Sequence, residues 1–184
     1  MEFFVRSVSV VAPGLDGWMQ ARAVLRGDTT YSPDPPRAFS PDILPANARR
    51  RITPTINAAL QAAAQATSGI SRDPGQMPLV FVSCYGDLEV TNRICSALIQ
   101  GQKPVSPIDF HNSVHNAPAG YWAIACQSNS ASLSLSAGPE GFSASLLEAG
   151  MQTCLESAPV LLVSYDLPPP AFMAWPEPPK AAFS

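Results

Sequence analysis

The chain has 184 residues, of which 46% are hydrophobic and only 14% are charged, and its formal net charge is -3. This length predicts one domain with a substantial core, and the absence of a basic run argues against nucleic-acid binding. No apolar run reaches the roughly 18 residues of a membrane span, and the N-terminus does not resemble a signal peptide, so we expect a cytoplasmic protein. The low charge predicts that a partner covers part of the surface.

The first half of the chain predicts a strand, two helices and a proline-rich excursion. Residues 3–11 are β-branched and aromatic, which is typical of a strand. Trp18–Leu25 predicts a short helix, and residues 27–45 predict an extended surface excursion. Residues 47–67 are rich in alanine and predict one helix, with Pro54 near its first turns.

The second half alternates strands with helices. The sequence predicts strands at 79–84, 133–137 and 160–165, helices at 88–99, 117–126 and 142–156, and a loop at 104–110. This alternation predicts an α/β domain with a largely parallel sheet and helices on both faces. We expect residues 1–167 to form that single domain and residues 168–184 to form a proline-rich C-terminal tail.

Both histidines of the chain, His111 and His115, are four residues apart, which could place two imidazoles on one helical face. A metal ion needs a third ligand, and Asp109, Cys126 and Glu89 are candidates that no pattern specifies. The Glu that follows the first His in zincins is missing. Hydrogen bonding to the backbone, or a place in an interface, is the simpler interpretation, and we predict no metal and no cofactor.

The four cysteines are Cys84, Cys95, Cys126 and Cys154. Their wide spacing without a CxxC pair predicts free, buried thiols.

A strand that runs through a Gly-Pro turn into a helix is also the setting of a nucleophile elbow. Ser143 lies in GFSAS, but the last glycine of G-x-S-x-G is replaced, and no histidine follows residue 115. A stand-alone acyl-thioester hydrolase or acyltransferase that uses Ser143 or Cys126 is therefore the alternative hypothesis. The simpler interpretation is a helix start capped by Ser143 or Glu140.

Four segments, in order, resemble the short β-ketoacyl synthase-like N-terminal-domain proteins that are called chain length factors in bacterial aryl polyene clusters. They are SPDILPANARRRITPTINAALQAA, VFVSCYGDLEVTNRI, VSPIDFHNSVHNAPAGYWAIA and LSLSAGPEGFSASLLEAG. The resemblance covers roughly residues 3–166, and the third segment is the most specific. It implies an α/β fold, the N-terminal half of the thiolase fold, with a mixed five-stranded sheet between helices.

The resemblance also implies a non-catalytic role. An active ketosynthase carries T-A-C at the strand-to-helix turn, and this chain has Ser136, Ala137 and Gly138 there. Gly138 thus occupies the nucleophile position, and no residue is predicted to be catalytic. The histidines that assist decarboxylation belong to the C-terminal half of ketosynthases, whereas His111 and His115 precede the turn. The implied role is an inactive subunit of a ketosynthase complex, which as a whole is an acyltransferase.

The implied partner is a full-length β-ketoacyl-ACP synthase in a heterodimer, and acyl carrier protein is a second candidate partner. The subunit would shape the acyl pocket of the synthase during aryl polyene pigment biosynthesis, a fatty acid-like polyketide pathway. The implied gating residues are Asp109, Phe110 and His111, and the implied interface residues are Leu133, Leu135, Ser136, His115 and Asn116. A homodimeric module that binds acyl chains or acyl carrier protein is a third hypothesis.

Overall fold

Five short strands form two sheets in the part of the chain that the computed structural model describes, residues 2–34, 43–101 and 104–173. An antiparallel hairpin joins β1 (Val11–Ala12) to β2 (Leu15–Asp16). In the second sheet, β3 (Leu79–Val82) pairs in parallel with β4 (Ser132–Leu135) and β5 (Leu161–Ser164), one on each side. All residues of β3 are buried, as its continuous apolar run predicts.

Helices cover both faces of the parallel sheet, which confirms the predicted α/β class. The helices are α1 (Trp18–Leu25), α2 (Ala46–Arg49), α3 (Pro54–Thr67), α4 (Leu88–Gln100), α5 (Pro107–Asn112), α6 (Ala117–Cys126) and α7 (Gly141–Glu156). Helices α3 and α6 pack against each other and against one face, while α7 packs against the other. Short 3-10 turns occupy Pro74–Gln76, Gly138–Glu140 and Ala171–Met173.

The central strand contributes side chains to both layers, because successive residues of a strand face opposite sides. On one side Phe81 joins a buried cluster that includes Leu60 of α3 and Trp122 of α6. On the other side Val82 meets the start of α7. There Gly141 approaches so closely that a Cβ would lie 3.2 Å from Val82 Cγ2.

The strand predicted over residues 3–11 is wrong for most of its length. Only Val11 belongs to a strand, and residues 2–10 pair with no strand among the described residues. This segment is instead held by side chains. Ser9 Oγ donates to Ala62 O at 2.8 Å, and the Phe3 ring covers Gly150, where a Cβ would lie 2.6 Å from the ring. The five strands therefore form a sheet of three and a hairpin, whereas the resemblance implied one mixed sheet of five.

The structure differs from the sequence predictions at the starts of two helices. The helix predicted over residues 47–67 is two helices, and the loop predicted over 104–110 contains the start of α5. Helix α3 begins at Pro54 behind Thr53, whose hydroxyl accepts from the Ile56 N–H at 3.2 Å. Helix α5 begins in the same way at Pro107 behind a serine. A hydroxyl N-cap followed by proline favours the start of a helix. The hydroxyl accepts a hydrogen bond from a first-turn N–H, and proline suits the first helical position because an N–H there would have no partner within the helix.

Part of the predicted excursion, residues 35–42, and most of the predicted tail, residues 174–184, lie outside the described residues. Within the described ranges no helix combines the length and the apolar character needed to cross a bilayer.

Replacement of a buried aromatic residue of α6 tests the core assignment. Trp122 is 2% exposed, whereas Ile124 on the same helix is 55% exposed. We expect Trp122→Ala to lower the free energy of unfolding by about 3–5 kcal/mol through loss of burial and creation of a cavity. The matched Ile124→Ala should cost about 0.5 kcal/mol or less. Urea unfolding followed by circular dichroism measures both values, and equal losses would contradict the packing of α6.

Candidate functional site

The turn after β4 contains Gly138, the residue that the family resemblance predicts in place of a nucleophile. Gly138 has φ +53°, a left-handed conformation that glycine adopts without strain. Beyond its chain neighbours, no described heavy atom lies within 4 Å of the position of an added Cβ. The turn therefore has room for a side chain but presents only backbone, so this position supplies no nucleophile.

A thiol from the neighbouring strand lies against this turn. Cys84 follows β3, and its Sγ donates to Gly138 O at 2.9 Å, while Ser136 Oγ donates to Cys84 O at 3.0 Å. Burial raises the pKa of the Cys84 thiol, and the negative charge of Asp166 together with its hydrogen bond raises it further. The thiolate is the reactive form of cysteine, so this environment disfavours the reactive form of Cys84.

The Asp166 carboxylate connects the ends of β3 and β5. It accepts from Ser83 Oγ at 2.7 Å and from the Cys84 N–H at 3.0 Å. Ser83 Oγ in turn accepts from the Gly86 N–H at 2.8 Å. Sequence reasoning missed this cluster, although both strands are followed by polar residues and the carboxyl ends of adjacent parallel strands meet at one edge.

The histidine-containing block around α5 and α6 is partly structural. Asn112 is 2% exposed, and its Nδ2 donates to Arg51 O at 2.7 Å while its Oδ1 accepts from Tyr121 Oη at 3.2 Å. His115 Nε2 lies 2.8 Å from Leu135 O. Since a carbonyl oxygen only accepts, Nε2 carries the proton and donates it. These contacts attach the block to the core and to the end of β4.

The three predicted gating residues differ in their surroundings. Asp109 is held by Arg93, whose Nη2 donates to Asp109 Oδ1 at 2.7 Å and whose Nε donates to the same oxygen at 3.1 Å. His111 is exposed and meets the Tyr121 ring edge-on, with centroids 6.0 Å apart. Phe110 is 70% exposed. Of the three, only Phe110 presents a large apolar side chain to the surroundings.

Strand β4 forms an open edge of the parallel sheet. The Leu79 N–H donates to Ala131 O at 2.9 Å. The backbone N–H and C=O groups of the odd-numbered residues in β4 therefore point toward β3. By the alternation of a strand, Ser132 and Ser134 direct their backbone N–H and C=O groups away from the sheet. Within the described residues, no strand pairs with this side. The Ser134 hydroxyl is buried, with no hydrogen-bond partner in the described part of the chain.

The predicted interface residues gather at this edge and at its carboxyl end. Leu133, Leu135 and His115 are half-buried, while Ser136 and Asn116 are exposed. His115 reaches Leu135 through the hydrogen bond described above.

Within the described residues, no hydrogen bond joins the alternative nucleophiles, Ser143 and Cys126, to a histidine or carboxylate side chain. Ser143 is exposed in the first turn of α7, and burial followed by the charge of Asp73 raises the pKa of Cys126. The hydrogen bond and ring contact described for His115 and His111 join each of them to other residues. Within the described ranges, no group of three or more His, Cys, Asp or Glu side chains could hold a metal ion.

The sequence model of the family described as the N-terminal domain of β-ketoacyl synthases matches residues 18–183. The chain also resembles a chain in the solved structure of the ketosynthase ApeO in complex with its chain length factor ApeC from Xenorhabdus doucetiae. The TM-score is 0.75 and the identity 24%, over 94% of this chain and 70% of the matched chain. A β-ketoacyl synthase from Burkholderia phymatum STM815 gives a TM-score of 0.66 and 16% identity, over 86% of this chain and 44% of its own. No curated protein sequence matches the chain.

Selective alkylation tests the state of the Cys84 thiol. At pH 7.5 we expect iodoacetamide to modify Cys84 at least several-fold more slowly than the exposed Cys95, because burial and Asp166 both disfavour the thiolate. Asp166→Asn removes the negative charge and should speed the modification of Cys84 while leaving Cys95 unchanged. Peptide mass spectrometry follows each site, and rapid labelling of Cys84 in the unaltered chain would contradict this account.

Proposed function

The chain belongs to the family of β-ketoacyl synthase N-terminal domains, and from that premise we propose that it is a non-catalytic chain length factor. It pairs with a full-length β-ketoacyl-ACP synthase and shapes the acyl pocket of that partner during the synthesis of an aryl polyene-type pigment. The observation that carries the proposal is Gly138, which stands where the resemblance to ketosynthases calls for the nucleophilic cysteine.

The chemistry of the turn supports a role without catalysis. Condensation by a ketosynthase needs a thiolate that takes up the acyl chain. Gly138 has no side chain. The Cys84 thiol beside it has a raised pKa and donates a hydrogen bond to Gly138 O. The turn is therefore a structural connection between β4 and α7 in this subunit, and the partner supplies the nucleophile.

The lengths of the matched chains support the same role. From the covered shares, the matched chain of the Xenorhabdus complex is about a third longer than this chain, whereas the Burkholderia synthase is about twice as long. The stronger likeness in fold is thus to a chain much shorter than that synthase. The Xenorhabdus structure holds a ketosynthase together with its chain length factor, and we extend that arrangement to this chain.

The partner would pair along β4. A strand of the synthase can form hydrogen bonds with the outward N–H and C=O groups of Ser132 and Ser134. Backbone groups of this kind promote aggregation when no partner covers them. A stable heterodimer of this type buries on the order of 2,000 Å² in total. The low charge of the chain is consistent with a surface of which a large part is covered.

Phe110 would serve as the wall that limits the length of the acyl chain. It lies on α5, which begins with the Ser106 cap and is held to α4 by the ion pair of Asp109 with Arg93. A rigidly held aromatic ring at the end of a pocket excludes longer acyl chains, because each further pair of carbon atoms would overpack the pocket. In this proposal Phe110 touches the chain, and Asp109 is a positioning residue that fixes the helix.

Loss of a single outward donor tests the pairing along β4. Ser132→Pro removes the outward N–H but leaves the hydrogen bonds between β3 and β4 intact. We expect a loss of about 1–3 kcal/mol, or roughly 5- to 150-fold in affinity for the synthase. Ser132→Ala keeps the N–H and should bind like the unaltered chain. Size-exclusion chromatography and titration of the co-expressed pair measure this. Equal binding of both variants would remove β4 from the interface.

Truncation of the proposed wall tests the control of product length. In a reconstituted pathway, Phe110→Ala should give longer or more heterogeneous polyenes, while the rate of the early cycles changes by less than about twofold, because short chains do not reach the wall. Ile108→Ala, a half-exposed residue of the same helix, is the matched control and should leave product length unchanged. Mass spectrometry of the products decides. Unaltered lengths in an intact complex would exclude Phe110 from the pocket.

A further inference from the structure

A cavity of about 10 Å³ lies where the turn before α4 meets the histidine-containing block between α5 and α6. The polar side chains of Asp87, His115 and Tyr165 line it together with Gly86. A cavity needs roughly 10–15 Å³ on this measure to hold one water molecule. The space therefore suits one very small molecule, and polar groups from three separate parts of the fold meet around it.

The Asp87 carboxylate contributes an acceptor whose hydrogen-bonding capacity is unused. Its Oδ1 accepts from the Val90 N–H at 3.0 Å and so caps the start of α4. Its Oδ2 is buried and has no hydrogen-bond partner among the described residues. A buried carboxylate oxygen without a donor costs free energy, so a donor placed at Oδ2 would stabilise the fold.

The His115 ring contributes a second acceptor. Its Nε2 carries the proton and donates to Leu135 O at 2.8 Å, so Nδ1 has a lone pair in the neutral ring. Nδ1 lies on the side of Gly86, 3.4 Å from the position of a Cβ added there. Because Asp87 Oδ2 and His115 Nδ1 are both acceptors, they cannot bond to each other, and a molecule that donates two protons is needed to satisfy both.

The Tyr165 hydroxyl contributes a donor. It donates to His115 O at 3.4 Å, which is longer than a hydroxyl hydrogen bond usually is, so a nearer acceptor would bind its proton better. Burial raises the pKa of Tyr165, and the negative charges of Asp166 and then Asp87 raise it further. The hydroxyl therefore keeps its proton, and the effect of the Asp87 charge places that carboxylate near the Tyr165 hydroxyl.

Two acceptors and one donor around so small a space match a water molecule. We propose that Asp87, His115 and Tyr165 bind one structural water molecule here. The water donates one proton to Asp87 Oδ2 and the other to His115 Nδ1, and its oxygen accepts from the Tyr165 hydroxyl. An ammonium ion has no lone pair that could accept from Tyr165. A metal ion would need more ligands than one carboxylate and one imidazole supply.

The bound water joins three parts of the fold. Through Asp87 it reaches the start of α4, through Tyr165 the residue that follows β5, and through His115 the block ahead of α6. Since Nε2 of His115 is bonded to Leu135 O at the end of β4, the water holds the same ring at its other nitrogen. All of these groups belong to this chain, so the site does not depend on the function proposed above or on a ketosynthase.

A crystal structure of the unaltered full chain, alone or bound to a ketosynthase, tests the proposal directly. We expect one spherical density peak at about 2.6–3.2 Å from Asp87 Oδ2, His115 Nδ1 and Tyr165 Oη, with a B-factor similar to theirs. A site without density would overturn the proposal. A direct hydrogen bond between Asp87 and His115 would also overturn it, as would contacts of about 2.0–2.4 Å, which indicate a metal ion.

Two glycine variants at opposite ends of α4 separate loss of the water from backbone strain. Gly86 and Gly101 have φ of +67° and +62°, so alanine is strained at both. A methyl at 86 would occupy the space beside His115 Nδ1, whereas no described atom lies within 4 Å of a Cβ at 101.

Gly86→Ala should therefore displace the water, and Gly101→Ala should retain it. In nitrogen-15 NMR of the full chain, we expect Gly86→Ala to shift the His115 Nδ1 resonance toward that of a ring nitrogen without a hydrogen bond. Gly101→Ala should leave this resonance unchanged, and the His111 ring serves as the internal reference. An unchanged resonance in Gly86→Ala, or equal shifts in the two variants, would contradict the proposal. If Gly86→Ala does not fold, the crystal structure of the unaltered chain decides.

Discussion

The carboxylate of Asp166 determines the geometry of the edge on which the site is built. It accepts hydrogen bonds from Ser83 and from the backbone of Cys84, and so joins the ends of β5 and β3. The end of β3 is also joined to β4, because the Ser83 N–H donates to Leu135 O. The same carbonyl oxygen accepts a hydrogen bond from His115. Three strand ends and the block between α5 and α6 are thus held by a few polar groups. These groups explain why the turn at Gly138 has a defined position.

A turn that is well defined and has no nucleophile suits a subunit that shapes the site of another. The hydrogen bond from Cys84 Sγ to Gly138 O stabilises the connection from β4 to α7. The raised pKa of the Cys84 thiol disfavours its reactive thiolate form. Helix α5 is fixed by its cap and by the Asp109–Arg93 pair while Phe110 remains exposed. The polar groups at the strand ends thus hold the turn in place, and under the proposed function the exposed Phe110 beside it would contact the partner.

Sequence reasoning succeeded where one local signal determines the structure. The bounds of α1 and α6 are those predicted, and the three parallel strands follow continuous or alternating apolar runs. It failed for residues 3–10, because an alternating pattern predicts extended backbone but does not create a paired neighbour. The start of α5 carries a local Ser-Pro signal, Ser106 followed by Pro107, which contradicts the loop predicted over residues 104–110. The bond between Ser83 and Asp166 spans 83 residues and depends on strand order, which spacing alone does not reveal.

The central claim is that this chain contributes no catalytic group to the proposed complex with a ketosynthase. The most direct measurement uses the intact complex with an active ketosynthase in which only the nucleophilic cysteine of the ketosynthase is replaced by alanine. The account predicts that decarboxylative condensation falls to the level without enzyme while the two chains still co-purify. Condensation that persists in that complex, and that disappears when Cys84 or Ser143 of this chain is then replaced, would contradict it.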